Sequence, residues 1–350
     1  MPSDTPRSLG YRKPADWELH QKCFVAWPAV DAYWEGHVRE AQEAFAELCA
    51  AIADGTARNE QLNVLVSDER NEQRARKALH NLEVCYLRMP YGDSWLRDTG
   101  PVFLTSEKGE LAAACFAFNG WGRKYLYPHD DTVAGDLVRA LGVKSLFFPW
   151  VMEGGAIDSD GEGTCLASRD CLFDKQRNPD QNETNMTERL RQALGFDRIL
   201  WLDGSLLNDH TDGHVDTLAR FVAPGVVICM EPLDHDDPNA AVLREVERQL
   251  RAFRDAKGRM LTVERIAAPG PVFGRNQQLL PASYLNFYIS NNHVIVPTYG
   301  TEHDRRAIDQ IAALFPGRRT IGLKANAILE GGGAFHCITL ALPAVDRVDL

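Results

Sequence analysis

The chain has 350 residues, of which 45% are hydrophobic and 25% charged, and its formal net charge is −11 at pH 7. That length allows one large domain or two ordinary ones with a substantial core, and the composition argues against long disorder and fibrous repeats. The acidic balance argues against nucleic acid as a partner, because phosphates require a basic face. A cationic substrate would suit an acidic cleft.

The cysteines and the first residues of the chain indicate a cellular compartment. Eight cysteines are present, without a Cys-x-x-Cys pair, and most lie in apolar runs such as those around Cys23, Cys115 and Cys229. Such cysteines ordinarily pack as small buried hydrophobes. Residues 1–17 lack the apolar core of a secretion signal, and no stretch reaches the roughly 20 apolar residues that span a membrane. We therefore expect a cytoplasmic protein that makes no membrane contact.

The first elements along the chain alternate between helix and strand. Apolar residues at helical spacing predict a helix over 33–55, and a short strand follows over 62–66. Asp68 can cap a second helix over 69–80, which leads to a predicted strand over 82–87. This alternation is typical of an α/β protein.

The same order then recurs at intervals of roughly 50 to 65 residues, as in proteins built from repeated modules. Five predicted helices start near Glu69, Asp131, Thr184, Ala240 and Asp304. Each is followed by a β-rich run, over 82–87, 145–148, 198–202, 261–266 and 319–323. Modules of this kind stack around an axis, because none can bury its own apolar face alone. The alternative is an ordinary α/β sheet with evenly spaced helices.

Two hairpins are predicted within the modules. Residues 219–223 and 226–230 flank a Pro-Gly turn, and residues 284–290 and 293–296 flank a pair of asparagines. Asparagine tolerates the positive φ that a two-residue turn needs.

Four of the five units place a cluster of polar residues roughly 20 to 30 residues after the start of the helix. The clusters are 93–101, 153–161, 208–216 and 330–337. In a radial arrangement of the modules these clusters would meet at one centre. That arrangement would bring together Asp98, Glu153, His214, Asp216 and Cys337.

Among these side chains, His214 could transfer protons, and Asp98 and Asp216 could supply two negative charges. We predict a strand over 214–221, so that His214 and Asp216 face the same side. Asp98 lies before a run that turns back into a strand, which makes it a better candidate for a free carboxylate than Asp93. The alternative is that these residues only satisfy backbone groups in loops.

Cys337 differs from the other cysteines because three consecutive glycines, 331–333, precede it closely. Glycine lets the backbone approach a ligand or take a positive φ. The adjacent His336 could lower the pKa of the thiol and so favour the nucleophilic thiolate. A cysteine, a histidine and two carboxylates together fit the covalent hydrolysis of a planar guanidinium, which carboxylates bind through paired hydrogen bonds.

Two other classes of protein remain alternatives. Asp212, His214 and Asp216 spell Asp-x-His-x-Asp, with His210 four residues before His214, and such a cluster can bind Mn²⁺ or Zn²⁺ in a ureohydrolase. The further Asp-rich ligand motifs of those enzymes are absent from the second half of the sequence. A binding or scaffold protein that has lost turnover is the third hypothesis, against which the complete set of Cys337, His214, Asp98 and Asp216 argues.

At this point the motifs resemble a known family. The sequence is similar to agmatine deiminases and the related bacterial-type peptidylarginine deiminases of the guanidine-modifying pentein superfamily. The similarity runs across almost the whole chain in the family's order, through Trp27-Pro28, 93–101, 119–125, 153–166, 211–221, 281–292 and 331–339.

The resemblance implies a fold and a set of roles. It implies an α/β fold in which repeated ββαβ-type modules form a five-bladed pseudo-symmetric propeller, as one catalytic domain over 1–350. It also implies Cys337 as the nucleophile, His214 as the general acid and base, and Asp98 and Asp216 as the carboxylates that clamp the guanidinium. Glu153, Trp95 and Trp121 would bind the substrate.

The reaction implied is the hydrolysis of agmatine to N-carbamoylputrescine and ammonia through a covalent thiouronium, with no cofactor and no metal. The residues Ala334-Phe335 and 340–342 depart from the pattern of many agmatine deiminases. Peptidyl-arginine or another small guanidine is therefore the alternative substrate. The sequence is compatible with a homo-oligomer.

Overall fold

The computed structural model of the chain describes residues 4–55, 59–233 and 237–345. In this part of the chain the strands form five sheets of three or four strands and one two-stranded ribbon. Each of the five sheets follows one plan: two antiparallel strands, then a helix, then a strand that returns parallel to the second. A parallel return requires a crossover connection, which is why a helix always precedes the last strand.

We number the five units as modules one to five by the position of the parallel pair in the chain. Module one contains Thr339–Pro343, His20–Ala26, Gln61–Val66 and Cys85–Arg88, and module two contains Tyr11–Arg12, Val102–Ser106, Leu111–Ala117 and Lys144–Val151. Module three contains Ile157–Ser159, Thr164–Ser168 and Arg198–Leu202, and module four contains Ala219–Ala223, Val226–Glu231 and Thr262–Ala267. Module five contains Tyr288–Ile289, His293–Thr298 and Arg319–Lys324, and the ribbon pairs Val272–Phe273 with Leu279–Leu280.

Each module has one crossover helix, and module one has a second. The crossover helices are Val38–Ala53 and Glu69–Ala78 in module one, and Val133–Leu141, Glu183–Leu194, Ala240–Ala252 and Asp304–Leu314 in modules two to five. The predicted repeat therefore needs one correction, because it took the Glu69 helix as the equivalent of the others. The helix at the equivalent place is Val38–Ala53, which joins the second strand of module one to its first parallel neighbour.

Local sequence explains where these helices begin and end. The carboxylate of Asp68 accepts a hydrogen bond from the backbone N–H of Asn71 at 2.8 Å, which confirms Asp68 as an N-cap. The helix Glu183–Leu194 is capped in the same way by Asn182 and ends at Gly195, which adopts the left-handed conformation. Short helical turns at Leu96–Thr99, Gly154–Ala156, Val215–Leu218 and Asn326–Glu330 join one module to another. Those at Asp31–Trp34, Gly120–Arg123 and Arg169–Leu172 lie within a module, between its second strand and its crossover helix.

Both predicted hairpins are present, with Ala219–Ala223 pairing with Val226–Glu231 and the shorter Tyr288–Ile289 with His293–Thr298. The prediction of a strand over 214–221 is wrong, because residues Val215–Leu218 form one helical turn and the strand starts at Ala219. The hydroxyl of Thr217 donates to the carbonyl of His214 at 2.9 Å and stabilises the turn.

The apolar core is shared between neighbouring modules. One cluster packs Phe103 and Ala113 of module two against Phe24 and Leu65 of module one, and another joins modules two and three. Fully burying a side chain of this size stabilises the fold by about 1.5–3 kcal/mol. No helix among the described residues is long and apolar enough to cross a membrane.

A single feature of this plan positions the polar side chains. The first strand of each module is preceded by a turn or loop, and each of these five segments carries buried polar residues. Four such residues are Asp98, Glu153, Asp216 and Asn286, and in the fifth segment the buried polar residue is His336, next to the buried Cys337.

Candidate functional site

A cavity of about 200 Å³ lies between three of these segments, those that precede the first strands of modules one, two and four. Trp95, Trp121 and Tyr125 form part of its wall, and the carboxylates Glu35 and Glu330 line it as well. Cys337 and Asp98 line the same cavity. Four of the seven predicted site residues therefore face one space, and the other three, His214, Asp216 and Glu153, are fully buried beside it.

Cys337 is 4% exposed, and its thiol has polar neighbours from two other modules. The side-chain amide of Asn286 donates to its sulfur at 3.2 Å, and the carboxylate of Asp216 lies 3.8 Å from it. A Cβ at Gly333 would stand 2.9 Å from the sulfur and 2.8 Å from the ring of Trp95. The glycine is needed here because a side chain would collide with both the thiol and the cavity wall.

The thiol of Cys337 is not activated in the way that the sequence suggested. Burial, together with the negative charges of Asp216 and Asp98, raises the pKa of Cys337 well above its ordinary value. The ring of His336 hydrogen-bonds to Asp216 and to Asp16. The expectation that His336 lowers the pKa of the thiol is therefore wrong, and the resting side chain is a neutral thiol near pH 7.

Asp98 receives two neutral hydrogen bonds at the edge of the cavity. The indole N–H of Trp121 donates to Oδ2 at 2.9 Å, and the backbone N–H of Gly155 donates to Oδ1 at 3.0 Å. Trp121 reaches this position with a left-handed backbone, at φ 51°. Burial raises the pKa of Asp98 to about 6, with the charges of Glu153 and Asp216 adding to the shift.

His214 is completely buried and lies among carboxylates. Its Nε2 is 3.2 Å from Oε2 of Glu153, and its Nδ1 is 3.8 Å from Oδ2 of Asp98. Burial alone would lower the pKa of His214, but Asp98, Glu153 and Asp216 outweigh it and raise the pKa to about 9. The side chain is therefore an imidazolium at neutral pH and can donate a proton.

Glu153 does not line the cavity and is held between two partners. The guanidinium of Arg177 donates to it from Nε at 2.8 Å, and His214 contacts its other oxygen. Burial would raise the pKa of Glu153, but His214 and Arg177 lower it below its ordinary value. Arg177 is fixed in turn by Asp212, at 2.7 Å from Nη1.

Asp216 has one engaged oxygen and one free oxygen. Its Oδ2 is 2.6 Å from Nδ1 of His336, whereas Oδ1 is buried without a hydrogen-bond partner among the described residues. Asp216 borders a small void of about 10 Å³ that touches Cys337. Burial would raise the pKa of Asp216, but the hydrogen bond and charge of His336 lower it, with help from His214 and Arg220.

Trp95 forms a wall with a fixed orientation. Its indole N–H donates to Asp93 at 2.9 Å, and the ring of Trp34 stacks on it at a centroid distance of 5.6 Å. Burial raises the pKa of Asp93 to about 7, and the charge of Asp130 contributes.

Sequence reasoning missed two residues of the site. Asn286 was hidden in a segment that carries no charge, although it precedes the first strand of module five as Cys337 precedes that of module one. Position within the repeat was the signal that could have identified it. Arg177 lies in a loop between a helical turn and a helix, and its sequence neighbours give no indication of a partner 24 residues away.

The Asp-x-His-x-Asp motif is not one ligand set in the structure. Asp212 binds Arg177 and Lys124, whereas His214 contacts Glu153. Within residues 4–55, 59–233 and 237–345, the group of three side chains close enough to share a metal ion is Glu153, Cys171 and His214. Arg177 already neutralises that glutamate, and burial raises the pKa of Cys171 well above its ordinary value, which disfavours the thiolate that a metal needs.

Comparison with known proteins identifies the family to which the chain belongs. The family model of the Porphyromonas-type peptidyl-arginine deiminases matches residues 12–343, so the chain belongs to this family. A Vibrio parahaemolyticus protein provisionally named an agmatine deiminase is 37% identical, covering 98% of this chain and 99% of its own. The agmatine deiminase of Pseudomonas aeruginosa strain UCBPP-PA14 is 34% identical, covering 98% of both chains.

Solved structures give the same result for the fold. An agmatine deiminase of Enterococcus faecalis matches with a TM-score of 0.92 and 32% identity, over 98% of this chain and 99% of that one. An amidinotransferase of Microseira wollei matches with a TM-score of 0.54 and 13% identity, over 97% of this chain and 98% of that one, which is a likeness of fold alone.

Proposed function

We propose that the chain is an agmatine deiminase, which hydrolyses agmatine to N-carbamoylputrescine and ammonia. The observation that carries the proposal is the surroundings of Cys337. Its thiol lines an aromatic-walled cavity together with Asp98, and it lies 3.8 Å from Asp216, a second buried carboxylate. A nucleophile between two carboxylates suits a planar cation that must be held by its nitrogens while its carbon is attacked.

In this proposal Asp98 and Asp216 bind the guanidinium. The free Oδ1 of Asp216 accepts one N–H of the substrate, which removes an unsatisfied buried acceptor. Asp98 binds a second nitrogen from the cavity side. Trp95 and Trp121 enclose the methylene chain and exclude water, which strengthens both ion pairs.

The cationic substrate generates the nucleophile. Its positive charge lies beside a thiol whose pKa is raised by two negative neighbours, so binding lowers that pKa and the thiol proton passes to solvent. The thiolate of Cys337 then forms a bond to the guanidinium carbon and gives a tetrahedral adduct.

His214 completes the reaction as acid and then as base. Its Nδ1, which has no hydrogen-bond partner among the described residues, gives its proton to the departing amino group. Ammonia leaves and a thiouronium remains. The neutral imidazole then takes a proton from the attacking water, the C–S bond breaks, and the thiolate recovers a proton from the new hydroxyl as the ureido product forms. Glu153, held by Arg177, orients the ring through these steps.

The alternative substrates are peptidyl-arginine and other small guanidines. The relatives named agmatine deiminase, 37% and 34% identical over nearly the whole chain, favour agmatine over a peptide. The arrangement of Asp98, Asp216, His214 and Cys337 is common to both possibilities, because each presents the same guanidinium.

We extend the proposal to the architecture. The five modules surround one centre as a five-bladed α/β propeller, and together they form a single domain over 1–350. Support comes from the contacts of Cys337, which joins residues of modules four and five, and of His214, which joins Glu153 and Asp98. All eight cysteines are free, which is consistent with a cytoplasmic location.

Product analysis tests the proposed function. Incubation with agmatine should release ammonia and a ureido product in equal amounts, and Cys337→Ala should abolish turnover because no other group can form the thiouronium. Cys229→Ala is the matched control, since that cysteine is equally buried but lies in a strand of module four. Release of urea, or turnover by Cys337→Ala, would contradict the proposal.

A further inference from the structure

His336 lies behind the site and contacts two carboxylates. Its Nδ1 is 2.6 Å from Oδ2 of Asp216, and its Nε2 is 2.8 Å from Oδ2 of Asp16. The side chain is 3% exposed and that of Asp216 is fully buried, so water does not compete for the hydrogen bond between them. An imidazole between two carboxylate oxygens satisfies both when each of its nitrogens carries a proton. Burial and the charges of Arg220 and Arg97 oppose that form and lower the pKa of His336, whereas the hydrogen bonds to Asp16 and Asp216 favour it. A ring that carries a single proton, on Nδ1, still ties Oδ2 of Asp216.

Asp16 is itself fixed from several directions. Arg220 donates to the same oxygen at 3.1 Å, Lys13 binds the other oxygen at 3.1 Å, and Arg97 lies 3.8 Å away. Burial would raise the pKa of Asp16, but Lys13, Arg97 and His336 lower it well below its ordinary value. The carboxylate that holds His336 is therefore charged and immobile.

The backbone of this segment adds a third constraint. The backbone N–H groups of His336 and Cys337 both point at Oδ1 of Asn286, at 3.1 and 3.3 Å. The backbone of His336 is thus held by Asn286, and its ring is held by Asp216 and Asp16. The proposed nucleophile, Cys337, is the next residue in the chain.

We propose that His336, anchored by Asp16, is a positioning residue that ties Oδ2 of Asp216 so that Oδ1 is presented to the substrate guanidinium. The inference rests on the proposed function, in which Asp216 is one half of the clamp. A carboxylate tied at one oxygen cannot rotate about its last bond, so its second oxygen needs no reorganisation when the substrate arrives.

Asp98 illustrates the pKa that we expect for Asp216 in the absence of His336. Both carboxylates are buried, but Asp98 has neutral hydrogen-bond donors and a pKa raised to about 6. Asp216 has His336, and its pKa is lowered. Replacing His336 by a neutral side chain should make the two carboxylates alike. The charged or titratable groups that face Asp216 are His336, Cys337, His214, Asp98 and Arg220.

Agmatine binding to a Cys337→Ser background tests the inference without turnover or thiol ionisation. Two variants separate the two ends of the ring, because the amide of asparagine overlies Nδ1 of histidine and that of glutamine overlies Nε2. His336→Asn keeps a neutral donor to Asp216, whereas His336→Gln keeps only the contact to Asp16. His20→Asn is the matched control, because His20 is also buried and pairs with a buried glutamate, Glu60.

In the Cys337→Ser protein, the affinity for agmatine measured by calorimetry should be constant above the pKa of Asp98, which is the plateau. It should fall about tenfold between that plateau and pH 5, because Asp98 alone takes up a proton. In both His336 variants the fall should be about 100-fold, because a second carboxylate now titrates in the same range. His336→Gln should also bind agmatine more weakly than the Cys337→Ser protein on the plateau. His20→Asn should show the same pH dependence of agmatine affinity as the Cys337→Ser protein.

The inference is overturned if His336→Asn shows the same fall between the plateau and pH 5 as the background protein. It is also overturned if His20→Asn increases the fall in agmatine affinity as much as His336→Asn does, since the effect would then be one of general destabilisation. If His336→Gln does not fold, His336→Asn alone decides the question. Failure of the unmodified protein to turn over agmatine would instead refute the proposed function, so the two failures are distinguishable.

Discussion

Asp98 and Asp216 are the two carboxylates of the proposed clamp, and their hydrogen-bond partners differ. Both are at most 4% exposed and both lie close to His214. Asp98 accepts hydrogen bonds from an indole and a backbone N–H, and its pKa rises to about 6. Asp216 contacts a histidine with an aspartate behind it, and its pKa falls.

The difference shows that burial alone does not decide the charge of a catalytic carboxylate. Neutral donors orient an ionised carboxylate, but they offset only part of the cost of removing it from water. At Asp216 the short hydrogen bond from His336 and the nearby charges of His214 and Arg220 offset more of that cost. Asp216 is therefore a permanent anion, and Asp98 is the member of the pair that can take up a proton at mildly acidic pH.

The largest expected effect comes from removing the permanent charge. Asp216→Asn leaves the substrate with Asp98 as its one carboxylate partner and leaves His336 with Asp16 alone, and losing one member of a buried charged pair costs about 2–5 kcal/mol. That cost corresponds to a loss in kcat/KM of roughly 30-fold to several thousand-fold. Steady-state kinetics with agmatine at pH 8 measure it, with circular dichroism to confirm folding. Loss of less than about tenfold would mean that Asp216 does not bind the substrate.

A smaller effect is expected from pH. Agmatine binding to the Cys337→Ser protein should weaken about tenfold for each pH unit below about 6, because Asp98 must lose its proton to bind the cation. The sign follows from the raised pKa: affinity is full above it and is lost as the pH falls through it. Asp98→Asn is the control, and it should bind weakly at every pH with no inflection near 6. A variant that retained the inflection would assign it to another group.

The sequence predicted the repeat well because the helix starts and the glycine-containing clusters are local signals. Glu69, Ala240 and Asp304 begin helices at the predicted residues, and Asp131 and Thr184 are within two residues of the observed starts. The polar clusters were assigned to one centre because each occupies the same place in its module. The approach failed at His214, where a helical turn replaces the predicted strand, since four residues carry too little periodicity to separate the two.

The charges of the site could not be predicted, because they depend on partners distant in the chain. The pKa of Asp216 depends on His336, 120 residues away, and His336 depends on Asp16, 320 residues away. Adjacency in the sequence suggested that His336 would act on Cys337. The imidazole instead contacts Asp216 and Asp16, and the backbone N–H groups of His336 and Cys337 are held by Asn286.

The smallest expected effect concerns Asp98, the carboxylate whose hydrogen-bond donors are neutral. Trp121→Phe keeps the aromatic wall but removes the indole N–H that donates to Asp98 at 2.9 Å. One neutral hydrogen bond contributes about 0.5–1.5 kcal/mol, so agmatine affinity should fall about two- to tenfold at pH 8. The same loss should raise the pKa of Asp98 further, because the donor stabilises the ionised form, and the inflection in binding should move above pH 6. Trp95→Phe is the matched control: its indole N–H donates to Asp93, so the inflection should stay in place. If both variants moved the inflection equally, the shape of the wall rather than the hydrogen bond would control Asp98.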